Sequence, residues 1–329
     1  MPKQAVLLLA HGTPETIEQI PEYLRNVVSG RPLPQSVIEE IQHRYALIGR
    51  SPLTELTIEQ GRMVEAELAR AGDAVPVYVG MRNWRPYIPD VVKQMSADGI
   101  AEAAVICMAP QNSRTSVGLY KRAVLAEAGA LRIDFTEGWA RHPLLAEAFA
   151  ERLRPALAKL SATAGHAVPV LFTAHSVPTR TVEAHPAPGS HQPGEPRLWP
   201  GQGVDPYAEE ARHTAELVAA LAPEIPSWSF AFQSQGASGG PWIGPSVEET
   251  LDRLAAGGVT SLVLQPIGFL CDHVEILYDV DIAFHQYAAK LGIKLARPES
   301  LNASVTLARA VADLARTGLA RLRLEQASR

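Results

Sequence analysis

Short apolar runs alternate with longer amphipathic segments along almost the whole chain, a pattern typical of parallel strands connected by helices. Eight runs read as strands, at residues 5–10, 75–79, 103–108, 131–135, 168–173, 228–232, 260–265 and 292–296. Helical periodicity occupies residues 86–98, 142–160, 206–221, 246–256, 273–290 and 303–325. We therefore predict an α/β protein with two sets of four parallel strands, each flanked by helices.

The two sets of strands resemble each other in sequence. LLLAHGTPE (7–15) and LFTAHSVPT (171–179) are both apolar strands that end in Ala-His, a small residue and Pro. Residues 86–110 and 241–266 also share a Pro–aromatic–Ile start, a helix, a Gly turn and a strand. An ancient duplication explains both matches; chance likeness between ordinary strand–helix units is the alternative. Since ligands bind at the carboxyl ends of parallel strands, two halves related by a pseudo-two-fold would place His11 and His175 on opposite walls of one cleft.

Residues 184–204 interrupt this pattern, because they are dense in Pro and Gly and carry two histidines and a tryptophan. Such a composition predicts a loop rather than a strand or helix. The loop is either a surface excursion or, since it closely follows the strand that carries His175, a flap over the cleft.

The densest cluster of chemically active side chains lies in residues 262–282 (LVLQPIGFLCDHVEILYDVDI). Glu275 and Asp279 are four residues apart and so share one face of a predicted helix. Carboxylates near a helix start also occur for purely structural reasons. A His and a carboxylate facing each other across a cleft suit either binding of a divalent metal or acid–base chemistry. The strand ends carry no P-loop, Gly-x-Ser-x-Gly or dinucleotide motif, which disfavours nucleotide, acyl-transfer and nicotinamide chemistry.

Composition narrows the class of protein further. The length of 329 residues favours two domains. A formal net charge of −5 argues against a nucleic-acid partner. Two cysteines are too few for a disulfide framework or a four-thiolate iron–sulfur cluster. We find neither a signal peptide nor a stretch that could span a bilayer, and expect a soluble, cytoplasmic protein without an integral membrane segment.

Six segments of the chain resemble the motif blocks of ferrochelatases and fall in the same order over residues 5–303. They are AHGTPETIEQIPEYLRNVVSG, HRYALIGRSPLTELT, VYVGMRNWRPYI, FTAHSVP, QSQGASGGPWIGP and PIGFLCDHVEILYDVDI. The resemblance implies two Rossmann-like domains, one formed by residues 1–141 together with a C-terminal helix at about 300–329, the other by residues 142–299.

The resemblance also implies a reaction, the insertion of Fe²⁺ into a free-base porphyrin in haem biosynthesis, by a lyase without an organic cofactor or an iron–sulfur cluster. His175 in FTAHSVP and Glu275 in DHVEILYD match the family's catalytic pair. Which of the two delivers iron and which takes protons stays open. We expect a monomer whose partners are porphyrin and Fe²⁺.

Further positions are carried over from the resemblance less directly. Arg44, Tyr45, Ser51 and Tyr120 match positions where related enzymes touch the macrocycle or its propionates; surface solvation for the arginine and core packing for Tyr45 are the alternatives. His11 stands where relatives that use coproporphyrin carry Tyr, and it could bind iron from the wall opposite the catalytic pair. His175, Glu275 and His11 are thus the candidate iron ligands.

Two neighbouring segments point to different porphyrin substrates. SGRPLP (29–34) resembles the enzymes that use coproporphyrin III, whereas the preceding YLRN resembles those that use protoporphyrin IX. We favour coproporphyrin III. Two alternative functions stay open at this point. One is a cobalt or nickel chelatase acting on sirohydrochlorin, since Ala-His-Gly also resembles a motif of those enzymes. The other is a non-catalytic carrier of tetrapyrrole or metal.

Overall fold

A computed structural model describes residues 2–182, 204–235 and 240–327. Within them the chain forms the eight expected strands, each bounded within two residues of its prediction. They are β1 (Gln4–Ala10), β2 (Val77–Met81), β3 (Glu102–Cys107), β4 (Arg132–Thr136), β5 (Val170–His175), β6 (Trp228–Gln233), β7 (Ser261–Pro266) and β8 (Lys294–Ala296).

The strands form two parallel sheets with the same order, β2-β1-β3-β4 and β6-β5-β7-β8. In the first sheet Leu8 lies opposite Val79 on one side and Ile106 on the other. In the second, Phe172 lies opposite Phe230 and Gln265 in the same way. The identical strand order supports the duplication. It also puts β1 and β5 beside the point where the strand order of each sheet reverses, and α/β sheets bind ligands at that point.

The helices cover the sheets on both faces, and three of them lie in the long connection between β1 and β2. They are α1 (Ile20–Val27), α2 (Gln35–Ile48), α3 (Leu53–Arg70), α4 (Ile88–Ala97), α5 (Val117–Leu125), α6 (Pro143–Ala164), α7 (Thr179–Val182), α8 (Tyr207–Ala220), α9 (Val247–Ala256), α10 (His285–Lys290) and α11 (Val305–Ala327). A 3₁₀ turn (Ile17–Gln19) precedes α1, and a π-helix (Glu275–Phe284) precedes α10. The predicted α-helix at 273–290 is therefore α-helical only in its last part.

The cores follow the alternation of side chains along the strands. In β1, Val6 and Leu8 face one core while Leu7 and Leu9 face the other. The first of these cores is continuous with the inner face of β5, where Phe172 packs. The two sheets thus share one apolar layer, which fixes the walls of the cleft relative to each other.

Helix α11 packs against α3, β3 and β4 of the first half of the molecule and also against α6 of the second half. Gly318 permits the close approach, since a Cβ there would lie 3.0 Å from Ala104 Cβ and 2.9 Å from Asp134 Oδ1. This packing agrees with a first domain that includes the C-terminal helix, although the domain boundaries at 141 and 299 stay a prediction. The prediction of a loop or flap at residues 184–204 lies outside the described residues, except for Val204, which is exposed.

We expect Gly318→Ala to lower the free energy of unfolding by about 1–3 kcal/mol, because the added methyl overpacks the contact between α11 and β3. Urea unfolding followed by circular dichroism measures the change. The matched control is Gly257→Ala, where a Cβ would meet no atom closer than 3.4 Å. Equal stability of the two variants would contradict the proposed tightness of the α11 contact.

Candidate active site

Two histidines mark the carboxyl ends of the central strands. His175 is the last residue of β5, and His11 directly follows β1. Both line one cavity of about 370 Å³. Its wall comes from both halves of the molecule and includes Thr13, Tyr23, Leu53, Gln60, Arg82, Met108, Gln111, Ser113, Tyr120, Tyr207, Trp242, Phe269, Cys271, His273 and Glu275. The cleft expected from the repeat therefore exists, with one histidine on each wall.

The turn after β7 brings the acidic segment against β5. Gly268 makes this possible, because a Cβ there would lie 3.0 Å from Ala174 Cβ and 3.1 Å from Ala174 Cα. Glu275 then comes to His175, with Oε1 3.4 Å from Nε2, while Oε2 lies 3.6 Å from His273 Nε2. One carboxylate thus contacts two imidazoles.

The imidazole of His175 is oriented from behind. Its Nδ1 is hydrogen-bonded to the carbonyl of Ser176, and since a carbonyl only accepts, Nδ1 carries the proton. Tyr207 donates its hydroxyl to the carbonyl of His175 at 2.8 Å, which fixes the backbone. The ring therefore presents Nε2 to Glu275 and to the cavity.

The charges of this pair support each other. Burial lowers the pKa of His175, but the Glu275 charge, its hydrogen bond and the Ser176 carbonyl outweigh burial, and the pKa is raised above its usual 6.5. Burial likewise raises the pKa of Glu275, but the charge of His175 and the bonds from both histidines hold that pKa well below 4.5. Each group thus favours the charged form of the other, a carboxylate beside an imidazolium.

The π-helix gives Glu275 and Asp279 separate partners. Glu275, at its first position, contacts the two histidines, whereas Asp279 accepts a hydrogen bond from Ser234 Oγ at 2.5 Å and pairs with Arg44 Nη1 at 3.2 Å. Each π-turn holds one residue more than an α-turn, and such turns are rare and are frequently found at functional sites. Burial raises the pKa of Asp279, against the bond from Ser234.

His11 has a different environment on the opposite wall. Its Nε2 lies 2.9 Å from the Tyr23 hydroxyl, and the Asn83 amide nitrogen lies 3.1–3.2 Å from both ring nitrogens. Burial and the charge of Arg82 lower the pKa of His11 to about 3. The imidazole is consequently neutral, which is the form that binds metals.

The substrate contacts carried over from the resemblance lie at different depths. Tyr120 lines the cavity, with the Arg82 guanidinium 5.5 Å from its ring centroid. Arg44, Tyr45 and Ser51 are not among the lining residues. Arg44 pairs with Asp279 and stacks on Tyr278, 4.8 Å from the ring centroid.

Tyr45 and Ser51 are buried, and neither Tyr45 Oη nor Ser51 Oγ has a hydrogen-bond partner among the described residues. Leaving a buried hydroxyl unpaired is costly. The Ser51 side chain nevertheless opposes the rise that burial gives the pKa of Tyr45, so the two hydroxyls lie close to each other rather than on the cavity wall.

The structure adds site residues that the sequence did not single out as cavity groups. Tyr23, Arg82 and Tyr207 all line the cavity and contact or influence one of the two histidines. His273 stood beside Glu275 in the acidic segment, which was a usable signal. Tyr207 follows the 184–204 insertion, where nothing in the local pattern points to the site.

The cysteines are free and buried. Cys271 lines the cavity, but burial and the Asp272 charge raise the pKa of its thiol to about 12, so it stays protonated. Within the described residues no three His, Cys, Asp or Glu side chains are grouped to hold a metal ion.

A family model described as Ferrochelatase matches residues 3–319. This chain is a member of the ferrochelatase family. It is 60% identical over 326 residues to a ferrochelatase of Acidobacterium capsulatum, covering 99% of this chain and 97% of that protein. It is 35% identical to the coproporphyrin III ferrochelatase of Mycolicibacterium vanbaalenii, over 95% of this chain and 89% of the relative.

A solved structure supports the fold. SirB from Bacillus subtilis with Fe³⁺ aligns with a TM-score of 0.54 and 12% identity, over 95% of this chain and 94% of that one. The predicted fold class and the assignment to the ferrochelatases, which are lyases, are both confirmed. The alternative of a sirohydrochlorin-type chelatase or a carrier is less supported. Across the described part of this ferrochelatase, no helix is long and apolar enough to cross a membrane.

We expect the His175–Glu275 pair to give this ferrochelatase a characteristic pH dependence of stability. The raised pKa of His175 contributes stability that is complete below pH 6.5 and is lost as pH rises through that raised pKa. The lowered pKa of Glu275 contributes stability that is complete above pH 4.5 and is lost as pH falls through that lowered pKa. The pair therefore stabilises most between pH 4.5 and 6.5.

Glu275→Gln weakens this dependence, because it removes the charge that raises the pKa of His175 most and leaves only the Ser176 carbonyl and the Asp279 charge to oppose burial. The stability difference between wild type and variant, measured by urea unfolding at a series of pH values, should shrink as pH rises above 6.5. The control is Asp313→Asn, which removes an exposed carboxylate 3.3 Å from His142 and should change stability by less than about 0.5 kcal/mol at each pH. A constant difference for Glu275→Gln would show that the pair is not ionised as described.

Proposed function

We propose that this ferrochelatase inserts Fe²⁺ into a free-base porphyrin bound in the cleft, with coproporphyrin III preferred to protoporphyrin IX. The observation that carries the proposal is the cavity lined by His11 on one wall and by His175 and Glu275 on the other. A flat macrocycle between these walls would expose one face to a neutral imidazole and the other to a proton-exchanging pair.

The wall that carries His175 and Glu275 has the groups that porphyrin metallation requires. Insertion replaces two pyrrole protons by one Fe²⁺, so the site must accept protons and strip water from the metal. We assign both tasks jointly to His175 and Glu275 as the catalytic pair. The second oxygen of the carboxylate faces His273, so a proton reaching His175 has two further groups with which to exchange.

Proton acceptance requires a neutral imidazole, and this sets a sign for the pH dependence. The imidazolium of His175 must first lose its proton, so the chemical step should accelerate as pH rises through its raised pKa. The Glu275 carboxylate stabilises a proton on the His175 imidazole. Once that imidazole is neutral, the same interaction favours its taking a proton from the macrocycle.

His11 is proposed as an iron ligand on the opposite face, alongside His175 and Glu275. Its low pKa keeps a lone pair available at any working pH. Asn83, buried beside it, holds the ring rather than offering a further ligand of its own.

The preference for coproporphyrin III is supported by chemistry and by relatives. Coproporphyrin III carries four propionates and protoporphyrin IX two, so it needs more polar partners around its edge. Arg44, Tyr45, Ser51 and Tyr120 are the proposed contacts, and Tyr120 among them lines the cavity. Several relatives at 31–35% identity are named coproporphyrin III ferrochelatases.

The proposed reaction transfers neither electrons nor an organic group. It therefore needs no organic cofactor, and Fe²⁺ enters as a substrate. A monomer suffices, because residues of one chain line both walls of the cavity. We propose a cytoplasmic protein, in keeping with a metal substrate that must stay reduced.

Anaerobic turnover with Fe²⁺ tests the function. Coproporphyrin III and protoporphyrin IX are offered separately, and metallation is followed by visible absorbance. We expect turnover of both, with the larger kcat/KM for coproporphyrin III. A larger kcat/KM for protoporphyrin IX would reverse the substrate assignment, and tight porphyrin binding without turnover would favour the carrier.

We expect His175→Ala to lower kcat by at least roughly 100-fold, because it removes the group that exchanges protons with the macrocycle. Porphyrin affinity, measured by fluorescence quenching without iron, should change little. The control is His166→Ala at an exposed position. Near-normal turnover in His175→Ala would remove this residue from the mechanism.

His11→Ala should change the visible spectrum of bound metalloporphyrin, since an axial nitrogen ligand is lost. The measurement is a difference spectrum at saturating product, with Asn83→Ala as a companion that disturbs the ring without deleting it. Identical spectra for wild type and His11→Ala would make His11 a spectator of the metal.

A further inference from the structure

Asn302, in the connection between β8 and α11, holds residues 270–272 through three hydrogen bonds. Its Oδ1 accepts from the backbone N–H of Asp272 at 2.9 Å, and its Nδ2 donates to Asp272 Oδ2 at 2.9 Å. Its own N–H donates to the carbonyl of Leu270 at 2.9 Å. Asn302 has φ +45, a left-handed conformation that asparagine tolerates better than most residues. The position thus calls for both the amide and this backbone.

Arg297 extends the grip to the π-helix. Its Nε and Nη2 form a bidentate pair with Asp281 at 2.5 and 2.8 Å, and its Nη1 donates to Asp272 Oδ1 at 3.2 Å. Ser300 Oγ donates to the same Asp272 oxygen at 2.7 Å. One nearly buried guanidinium therefore fixes both ends of the stretch that contains Glu275.

The network also reaches the opposite half of the molecule. The carbonyl of Asn302 accepts a hydrogen bond from Gln60 Nε2 at 2.9 Å. Gln60 belongs to α3 and lines the cavity, whereas Asn302 does not. Asn302 is thus hydrogen-bonded to segments of both walls of the cleft without lining the cavity itself.

We propose that Asn302 is a positioning residue for metallation, holding the segment of His273 and Glu275 where the carboxylate meets His175. The inference rests on the proposed function for its reaction. Its geometric basis is independent of that function. Asp272 lies between Cys271 and His273, both of which line the cavity, but is itself turned to the network. A displacement of about 1 Å at such a segment is enough to slow catalysis strongly.

Asn302→Asp isolates this role. The new carboxylate keeps the shape and the tolerance for positive φ, but it replaces a donor by a charge that repels Asp272. We expect kcat to fall on the order of 10- to 100-fold, with porphyrin affinity nearly unchanged because no cavity-lining group is altered. Hydrogen–deuterium exchange of the peptide spanning residues 270–277 should accelerate roughly ten-fold, since the segment loses the bond from Asn302 Nδ2 and the two carboxylates repel each other.

The combined Asp272→Asn and Asn302→Asp exchange restores the pair with the roles of amide and carboxylate reversed. We expect it to recover most of kcat and of the exchange protection. Asn302→Gly, which keeps the backbone freedom and deletes the amide, should behave like Asn302→Asp. The control is Asp73→Asn, which breaks hydrogen bonds to Arg316 and Arg323 away from the cavity and should leave kcat and the 270–277 peptide unchanged.

The outcomes separate this inference from the proposed function. A kcat for Asn302→Asp within two-fold of wild type, or a loss that the exchange variant does not recover, would overturn the positioning role. A porphyrin affinity that falls as much as kcat would do the same. If wild type metallates neither porphyrin, the proposed function fails. Hydrogen–deuterium exchange of the 270–277 peptide then decides alone. Faster exchange in Asn302→Asp that the combined Asp272→Asn and Asn302→Asp variant reverses supports the positioning role, and unchanged exchange refutes that role.

Discussion

The carboxylate of Glu275 lies in a pocket whose burial opposes its charge, and the imidazolium of His175 is what keeps it ionised. Burial disfavours both charges, since it lowers the pKa of His175 and raises the pKa of Glu275. Together they form a pair in which a proton is held at an imidazole that faces the cavity. The fold must therefore hold two groups from different parts of the chain at 3.4 Å. The apolar layer shared by the two sheets and the hydrogen-bonded turn before the π-helix both serve this requirement.

Rigid and adaptable parts of the molecule are distributed accordingly. The apolar layer beneath the sheets includes β1, β5 and much of α6 and α11, all of it buried. Close packing of this kind resists displacement. The rim of the cleft instead consists of polar contacts, such as the ion pair between Arg44 and Asp279. A partly exposed pair of this kind contributes little stability. As a proposed substrate contact, Arg44 would exchange Asp279 for a substrate carboxylate while the buried layer stays in place.

Much of the fold could be predicted from the sequence, because buried parallel strands are continuous apolar runs that stand out from the segments around them. The strand ends then located His11 and His175. Local periodicity could not reveal the π-helix, since Glu275 and Asp279 share a face in an α-helix as well. Nor could it give the partner of Arg44, which is 235 residues away in sequence. Tyr207 and Gln60 were missed for the same reason: their contacts to the site exist only after the two halves have packed.

The two histidines show how a repeated scaffold acquires two chemical roles. Both follow the central strand of a sheet with the same order, so the backbone treats them alike. Their neighbours do not. Burial and the charge of Arg82 lower the pKa of His11 to about 3, whereas Glu275 raises that of His175 above its usual value. One wall therefore presents a neutral nitrogen lone pair, and the other presents an exchangeable proton. The repeated strand order supplies the geometry, and burial together with the charge beside each histidine sets its protonation.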